Sequence, residues 1–308
     1  MKKLKIMTLA IVLLLLTQTL MAKSVVDTKN AKVKSSIVKI YTVANEPDYR
    51  SPWASHVNEF SGSGCIISGQ RILTNAHVVS DSTYVEVLKN GETKRYEAEV
   101  LSIAHESDLA MITVKDKSFF DGTQSLDIGS LPELQQEVNV YGFPMGGDTL
   151  SITKGVVSRI EHQYYAHGGK YLMAIQIDAA VNHGNSGGPA LADNKVIGLV
   201  MQGDSRGENI GYMIPPSVIK HYLKDMKDKK YDGYPYVGMH TQDLESPVMK
   251  ELYGLKGKKH GVLINKIIPN SSAIEVLKEG DILISIGGYK VHSNNKVEFR
   301  DKEFAHYS

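Results

Sequence analysis

The chain of 308 residues contains a single cysteine, Cys65, and a single tryptophan. One cysteine excludes an internal disulfide, so the apolar core alone has to stabilise the fold. Because Cys65 lies in an apolar segment, residues 64–67, we interpret it as a small buried hydrophobic residue and not as a thiol nucleophile. An excess of one charge sign is also lacking, since the formal net charge is +1. The balanced charge gives no indication of a nucleic-acid partner.

An apolar segment lies at the start of the chain. Three lysines occur among the first five residues, residues 6–16 are apolar, and the small residue Ala22 follows. This arrangement is typical of a signal peptide, here predicted over residues 1–22, and the apolar part is too short for a comfortable membrane span. We therefore expect an exported protein, with the bacterial periplasm as its destination and no membrane span after signal removal. A retained anchor is the alternative.

Helical periodicity is scarce in the part of the chain that follows. Residues 35–215 consist of short β-branched segments separated by turn residues, and Asn90-Gly91 between two of them is a strong hairpin signal. Strands at this spacing predict an all-β barrel or sandwich, so the protein is expected to be mainly β. An amphipathic helix is predicted from Pro216 to about Lys229.

These patterns divide the chain into two parts. A first domain is expected over residues 30–230, closed by the predicted helix. Residues 231–235 have the composition of a linker, and a smaller unit with several strand candidates is expected over residues 234–308.

A glycine-rich segment, residues 181–190, places one serine where the backbone has to turn sharply. Ser186 is flanked by Gly184 on one side and by Gly187 and Gly188 on the other. Glycines at these positions allow main-chain amides to point at a common spot that a Cβ would obstruct. Acyl transfer needs such a nucleophile, with backbone donors aimed at the oxyanion that develops.

Two unrelated folds use a serine in this setting. In the α/β-hydrolase elbow the serine opens a helix, and its acid and histidine follow in the chain. Here Gly-Gly-Pro and a short strand pattern follow Ser186, which makes a helix unfavourable. The chymotrypsin-type order of histidine, aspartate and serine remains. His77, just past a strand, and Asp108, at the start of another, fit that order.

The three residues have distinct expected roles. Ser186 attacks the carbonyl, His77 accepts the serine proton and passes it to the leaving amine, and Asp108 holds the tautomer of the histidine. The main-chain amides of Gly184 and Ser186 are the candidate oxyanion hole.

The sequence resembles the HtrA/Deg family of trypsin-like serine proteases. The resemblance implies a trypsin-like double β-barrel followed by a PDZ domain. Many relatives carry proline where this chain has His183. The segments that carry the resemblance are residues 62–68, 74–77, 107–110, 141–144, 155–160 and 178–189.

The resemblance also indicates a primary specificity pocket. In trypsin-like folds the residue six before the nucleophile commonly floors this pocket, and here it is Ala180. Leu199, Val200 and Met201 are the expected wall. Without an acidic residue in this set, the pocket is expected to favour small aliphatic side chains, with a shallow preference among them.

Residues 234–308 look like the beginning of a PDZ domain. Its carboxylate-binding loop is expected at Tyr236, Val237, Gly238 and Met239, beside an edge strand that accepts a peptide by β-augmentation. The domain looks C-terminally incomplete, because the chain stops at Ser308. A domain that binds nothing is the alternative.

The resemblance therefore implies an exported, ATP-independent serine endopeptidase that cuts unfolded or damaged proteins. It also implies a homotrimer or higher oligomer, formed through the region of Tyr49, Trp53 and Phe60. We expect no cofactor and no metal. The alternatives are a holding chaperone or peptide-binding module that does not cut, and a serine esterase.

Overall fold

The computed structural model describes residues 31–145, 147–203, 209–258 and 260–307. The predicted signal peptide lies outside the described residues. Within them the fold is mainly β, as expected, and contains two closed six-stranded barrels followed by small sheets.

The first barrel is built from strands whose buried residues lie mainly in β1, β3, β6 and the second half of β2. A four-residue helix, α1 (Ala76–Val79), follows its third strand, and a 3-10 helix (His105–Ser107) precedes its sixth. The strands pair in the order β1-β2-β3-β6-β5-β4. Their bounds are β1 (Ile37–Pro47), β2 (Ser55–Ile67), β3 (Arg71–Thr74), β4 (Ser82–Lys89), β5 (Arg95–Ala104) and β6 (Leu109–Val114).

The second barrel closes in the order β10-β11-β12-β9-β8-β7. A 3-10 helix (Lys117–Phe120) lies in the connection between the barrels. The strands are β7 (Glu137–Gly142), β8 (Ser151–Tyr165), β9 (Lys170–Ile177), β10 (Pro189–Ala192), β11 (Lys195–Gly203) and β12 (Gly211–Ile214).

A shared apolar core joins the two barrels. Leu73 and Leu109 of the first barrel are buried together with Phe143 and Leu199 of the second. Helix α2 (Pro216–Asp225) packs Ile219 and Tyr222 against the same core. Burial of this apolar surface is the main force that holds the barrels face to face, so loops from both barrels converge at their junction.

The predicted helix is confirmed with a modified end. α2 is α-helical only to Asp225 and continues as a 3-10 turn over Met226–Asp228. Lys229 then adopts a positive φ of 69°, which ends the helix.

Two further sequence predictions are confirmed in the first barrel. β4 and β5 pair across the Asn90-Gly91 turn, where Gly91 has φ 82°. Cys65 is fully buried, and burial raises the pKa of its thiol to about 12. Such a thiol stays protonated and inert at neutral pH.

The second unit has the predicted strands with shifted bounds. Of the residues expected to form the carboxylate-binding loop, only Met239 is part of a strand, because Gly238 turns the chain with φ 81° and its carbonyl accepts from the Ile268 amide. The elements are β13 (Met239–Gln242), α3 (Pro247–Leu252), β14 (Val262–Ile267), β15 (Ile282–Leu283), β16 (Ser285–Ile286), β17 (Tyr289–Lys290), β18 (Lys296–Arg300) and β19 (Glu303–His306).

The β18–β19 hairpin contacts the second barrel. Arg300 donates to the carbonyl of Pro132 at 2.9 Å and pairs with Glu133 at 3.1 Å. Phe299 packs beside the core of that barrel. None of the helices in the described ranges has the length and apolar character needed to cross a membrane.

Candidate active site

The side chains of His77 and Asp108 lie within hydrogen-bonding distance of each other. Nδ1 of His77 lies 2.9 Å from Oδ1 and 2.8 Å from Oδ2 of Asp108. The backbone N–H of His77 also donates to Oδ1 at 3.0 Å. The Asp108 side chain is 2 % exposed and that of His77 is 19 % exposed. A buried carboxylate therefore holds one edge of an imidazole whose opposite edge is accessible.

The local backbone explains why aspartate stands at position 108. The residue ends the 3-10 helix in the left-handed region, with φ 51°, and its N–H bonds the carbonyl of His105. Aspartate and asparagine tolerate this conformation better than most residues. Asn75, which precedes α1, donates its side-chain amide to the Asp108 carbonyl at 2.9 Å. Asn75, which lies between β3 and α1, thus links Asp108 to the helix that carries His77.

The glycine loop around Ser186 is held by both barrels. Gly184 and Gly187 have φ angles of 94° and 79°. A Cβ on Gly187 would lie 2.2 Å from the carbonyl oxygen of Ser63, so only glycine fits there. The carbonyl of Ser186 accepts from the Ser63 amide at 2.8 Å. The loop is thereby attached to β2 of the first barrel.

Gly62 brings the serine loop close to the histidine helix. A Cβ on Gly62 would lie 2.6 Å from the side chain of Val78 and 3.2 Å from the Ser186 carbonyl oxygen. The residue after His77 and the backbone of Ser186 therefore both lie close to β2 at Gly62. Ser186 Oγ itself donates to the carbonyl of Met201 at 3.5 Å, and within the described chain it makes no hydrogen bond to His77.

Two backbone amides of the serine loop, those of Gly184 and Ser186, are the predicted oxyanion donors. The carbonyl of His183 accepts from the Met145 amide at 2.9 Å. Because a trans peptide directs its C=O and N–H oppositely, the N–H of Gly184 points away from Met145. Within the described residues neither this N–H nor that of Ser186 donates a hydrogen bond. The His183 side chain is exposed.

Sequence reasoning did not assign a role to Ser63, which links the two loops of the site. Its hydroxyl donates to the Gly184 carbonyl at 2.7 Å and accepts from the Phe143 amide at 2.8 Å. Thr74 donates its hydroxyl to the Ser63 carbonyl at 2.8 Å. All of these residues lie in segments that carry the family resemblance. That resemblance was the signal in the sequence that could have pointed to a role for Ser63.

A second residue without an assigned role, His167, lies on the turn between β8 and β9. Its ring stacks on that of His77, with centroids 3.9 Å apart and planes at 17°. Both rings line a cavity of about 490 Å³. The sequence carried no local signal for this pairing, since the two histidines are far apart in the chain. The other lining residues are Glu46, Phe60, Ala76, Ser80, Asp81, His105 and Asp108.

The residues expected to wall a specificity pocket are packed into cores. Leu199 and Met201 are buried in the shared core, and Val200 is buried in that of the second barrel. Their side chains therefore contact core neighbours, while the Met201 carbonyl faces Ser186 Oγ. Ala180 is exposed, and its carbonyl accepts from the Thr153 hydroxyl at 3.1 Å. Whether these residues select substrates stays a prediction.

The loop expected to bind a peptide carboxylate precedes an edge strand. Tyr236 and Val237 are exposed, and the Gly238 carbonyl accepts from Ile268 N–H. Met239 begins β13, which among the described strands pairs only with β14, on one side. The free side of β13 is the geometry that β-augmentation requires, although the binding role stays a prediction.

The fold has two closed barrels, and a His–Asp pair and a serine flanked by glycines lie at their junction. These features define the trypsin-like peptidase class. The family described as "Trypsin-like peptidase domain" matches residues 62–199. The solved structure of the HtrA-type protease AlgW with decapeptide superposes with a TM-score of 0.65, covering 83 % of each chain. At 21 % identity this similarity shows the fold alone. An active-form protease of M. tuberculosis, 26 % identical, gives a TM-score of 0.53 over 64 % of this chain and 83 % of that chain.

Curated relatives narrow the class to a family. "Protease Do-like 4, mitochondrial" of Arabidopsis thaliana is 42 % identical over 271 residues, 87 % of this chain and 52 % of the relative. "Protease Do-like 2, chloroplastic" of that plant is 43 % identical over 279 residues, 89 % of this chain and 46 % of the relative. This chain spans about half the length of both.

A shorter relative is covered more completely. "Putative Do-like 15 protein" of Arabidopsis thaliana is 40 % identical over 172 residues, 56 % of this chain and 77 % of the relative. The chain therefore belongs to the HtrA/Deg family of trypsin-like serine proteases, which confirms the resemblance found in the sequence.

Proposed function

We propose that this protein is an exported, ATP-independent serine endopeptidase that cuts unfolded or damaged proteins through an acyl-enzyme. The observation that carries the proposal is the pairing of His77 Nδ1 with the buried carboxylate of Asp108, at 2.8 Å, beside the glycine loop of Ser186. Family membership adds support, since two of the relatives are named proteases.

Proton transfer begins at Ser186. Its hydroxyl rests on the Met201 carbonyl at 3.5 Å, a long hydrogen bond that a side-chain rotation toward His77 breaks at little cost. With its proton on Nδ1, His77 accepts the serine proton at Nε2. Asp108 then stabilises the imidazolium, which later protonates the leaving amine.

Charge on the attacked carbonyl oxygen is stabilised by the free N–H groups of Gly184 and Ser186. Backbone donors held in a fixed loop need no reorganisation when the charge develops, and one such donor is commonly worth about 3 kcal/mol. The Ser63 hydroxyl supports this arrangement through its hydrogen bond to the Gly184 carbonyl.

Ala180 makes the primary pocket suitable for small aliphatic side chains. It carries no charge to pair with a basic residue and lies on the segment that leads to Ser186. Cleavage sites mapped in an unfolded protein test this point: frequent valine or alanine before the cut supports it, and predominant lysine or arginine contradicts it.

The remaining parts of the proposal concern location and partners. The leader features of residues 1–22 support export to the periplasm. Tyr49 and Trp53 are each 90 % exposed, which suits a contact between copies in a homotrimer. The loop at residues 236–239, beside the free edge of β13, is the proposed site for a peptide carboxylate.

The decisive experiment compares the full chain with its Ser186→Ala variant. Separate samples of each are treated with a fluorophosphonate probe, with reduced casein and with an ester substrate. Labelling and cleavage in the parent chain, both absent from the variant, support the proposal. A parent that neither reacts nor cuts, but suppresses aggregation of the casein, indicates the holding chaperone instead. A parent that hydrolyses only esters indicates the esterase.

A further inference from the structure

His167 covers one face of the catalytic histidine candidate. The ring centroids of His167 and His77 are 3.9 Å apart and the planes differ by 17°, which is a stacked geometry. The edge of His77 that carries Nδ1 is held by Asp108 at the same time. The imidazole is thus restrained on an edge and on a face.

The turn that carries His167 is held on the first barrel. Residues 166–169 connect β8 to β9, and the amides of Gly168 and Gly169 donate to the Tyr165 carbonyl at 3.1 and 2.8 Å. A Cβ on Gly168 would lie 2.5 Å from the His105 carbonyl oxygen. The turn therefore packs against the 3-10 helix that ends at Asp108.

Gln202 ties the same turn to the strand beside the serine. Its side-chain oxygen accepts from the Ala166 amide and its nitrogen donates to the Tyr164 carbonyl, both at 3.1 Å. Gln202 follows Met201, whose carbonyl accepts from Ser186 Oγ. The turn that carries His167 therefore packs against the 3-10 helix before Asp108 on one side and is bonded to Gln202, near Ser186, on the other. These contacts and the stack on His77 place His167 relative to all three residues of the proposed triad.

The charges around His167 favour its neutral form. His167 is an exposed residue, but the partial desolvation of its ring lowers the pKa of His167, and the neighbouring His77 lowers it further. Asp108 acts in the opposite direction. The cavity beside the two rings also contains Glu46, Asp81 and His105.

A neutral ring is the suitable partner for a histidine that gains and loses a proton. Its π face attracts an imidazolium, whereas a second positive charge about 4 Å away repels it. We propose that His167 is a positioning residue for proton transfer, whose stacked ring holds His77 with Nδ1 on Asp108 throughout the reaction. This inference rests on the proposed function.

Three substitutions separate stacking from charge. His167→Ala removes the stack, His167→Phe keeps a ring without a titratable group, and His167→Lys places a cation over His77. The exposed Lys170→Ala, on the same hairpin, is the matched control. Steady-state cleavage of a peptide derived from a mapped casein site gives kcat and KM for each full-length variant.

The expected result is a change in kcat with little change in KM. His167→Ala lowers kcat roughly 3- to 10-fold, the range that an aromatic pair is worth. His167→Phe restores kcat to near the parent value, His167→Lys falls below the alanine variant, and Lys170→Ala matches the parent. Equal loss in the alanine and phenylalanine variants, a loss confined to KM, or an unchanged alanine variant overturns the inference.

A second measurement, by NMR, detects the stacked rings directly and does not depend on catalytic turnover. In the Ser186→Ala background, the ring current of His167 shifts the NMR signals of the His77 ring upfield. The shift disappears in His167→Ala and persists in His167→Phe, and its absence from the parent overturns the inference. If the parent chain does not cut, the proposed function fails separately, and this shift still reports whether the stack exists. A variant that does not fold is recognised by its loss of a cooperative Tm.

Discussion

The hydroxyl of Ser63 joins the first barrel to the serine loop by donating to the carbonyl of Gly184 at 2.7 Å. It accepts from the Phe143 amide at 2.8 Å, and the residue is fully buried. The loop that contains Gly184 and the loop that contains Phe143 are therefore both held by the same atom, Oγ of Ser63.

Replacing Ser63 with alanine is expected to weaken both the fold and the activity. The Gly184 carbonyl and the Phe143 amide lose their buried partner, which costs about 1 to 3 kcal/mol of unfolding free energy. Urea unfolding measures that change, and kcat is expected to fall because the loop loses its support. Ser55→Ala, on the exposed part of the same strand, is the control and should leave both unchanged.

Two glycines with similar backbone angles are expected to respond differently to alanine. Gly187 has φ 79° and Gly91 has φ 82°. A Cβ at Gly187 meets the Ser63 carbonyl at 2.2 Å, whereas nothing lies within 4 Å at Gly91. Gly187→Ala should cost about 3 to 5 kcal/mol, and Gly91→Ala about 1 to 2 kcal/mol. If denaturant unfolding gave the two variants equal losses of unfolding free energy, backbone strain alone would account for the cost and the contact with Ser63 would contribute nothing.

Glu106 is expected to hold the linker against the active-site helix. Glu106 lies in the 3-10 helix (His105–Ser107) that precedes Asp108, and its carboxylate accepts from the Tyr231 hydroxyl at 2.9 Å and from the Tyr234 amide at 3.0 Å. Glu106→Ala should make residues 231–235 more accessible to an added protease, since the linker loses both hydrogen bonds to Glu106 and keeps those of Asp232 and Gly233 to Asp225. The assay uses the Ser186→Ala background to exclude self-cleavage. Glu106→Gln keeps an acceptor and should retain part of the protection, and the exposed Glu99→Ala should retain all of it.

Acidification is expected to destabilise the protein through His306. Desolvation lowers the pKa of His306 below its usual 6.5, and Lys296 lowers it further while Asp243 opposes this. His162 of β8 and Tyr307 also face the ring. Because the unfolded chain binds the proton more readily, stability is present above the unfolded pKa and is lost as the pH falls through 6.5 toward the lower folded value.

The measurement is the Tm of the full chain between about pH 7.5 and about pH 5. His306→Phe keeps a ring beside Tyr307 and should make the fall in Tm smaller than in the parent. The exposed His240→Phe is the matched control and should behave as the parent does. An identical fall in parent and His306→Phe chains would assign the effect to other groups.

The sequence predicted much of the fold because its signals are local. β-branched segments and Asn90-Gly91 indicated the strands and a hairpin, and the glycines around Ser186 indicated a tight loop. The order of histidine, aspartate and serine then distinguished the trypsin-like class from the α/β-hydrolases. The first and last residues of the elements were less predictable. A single positive φ ends the helical segment at Lys229, and another, at Gly238, precedes the start of β13.

What the sequence by itself determined is therefore the class, the family and the candidates His77, Asp108 and Ser186, because each lies in a recognisable local context. Tertiary structure alone decided the contacts that arise when two barrels bury a shared core. The hydroxyl of Ser63 reaches Gly184, and the ring of His167 reaches His77, across long separations in the chain. No local pattern encodes such pairs, since burial of apolar surface brings the barrels together and side-chain geometry then selects the partners.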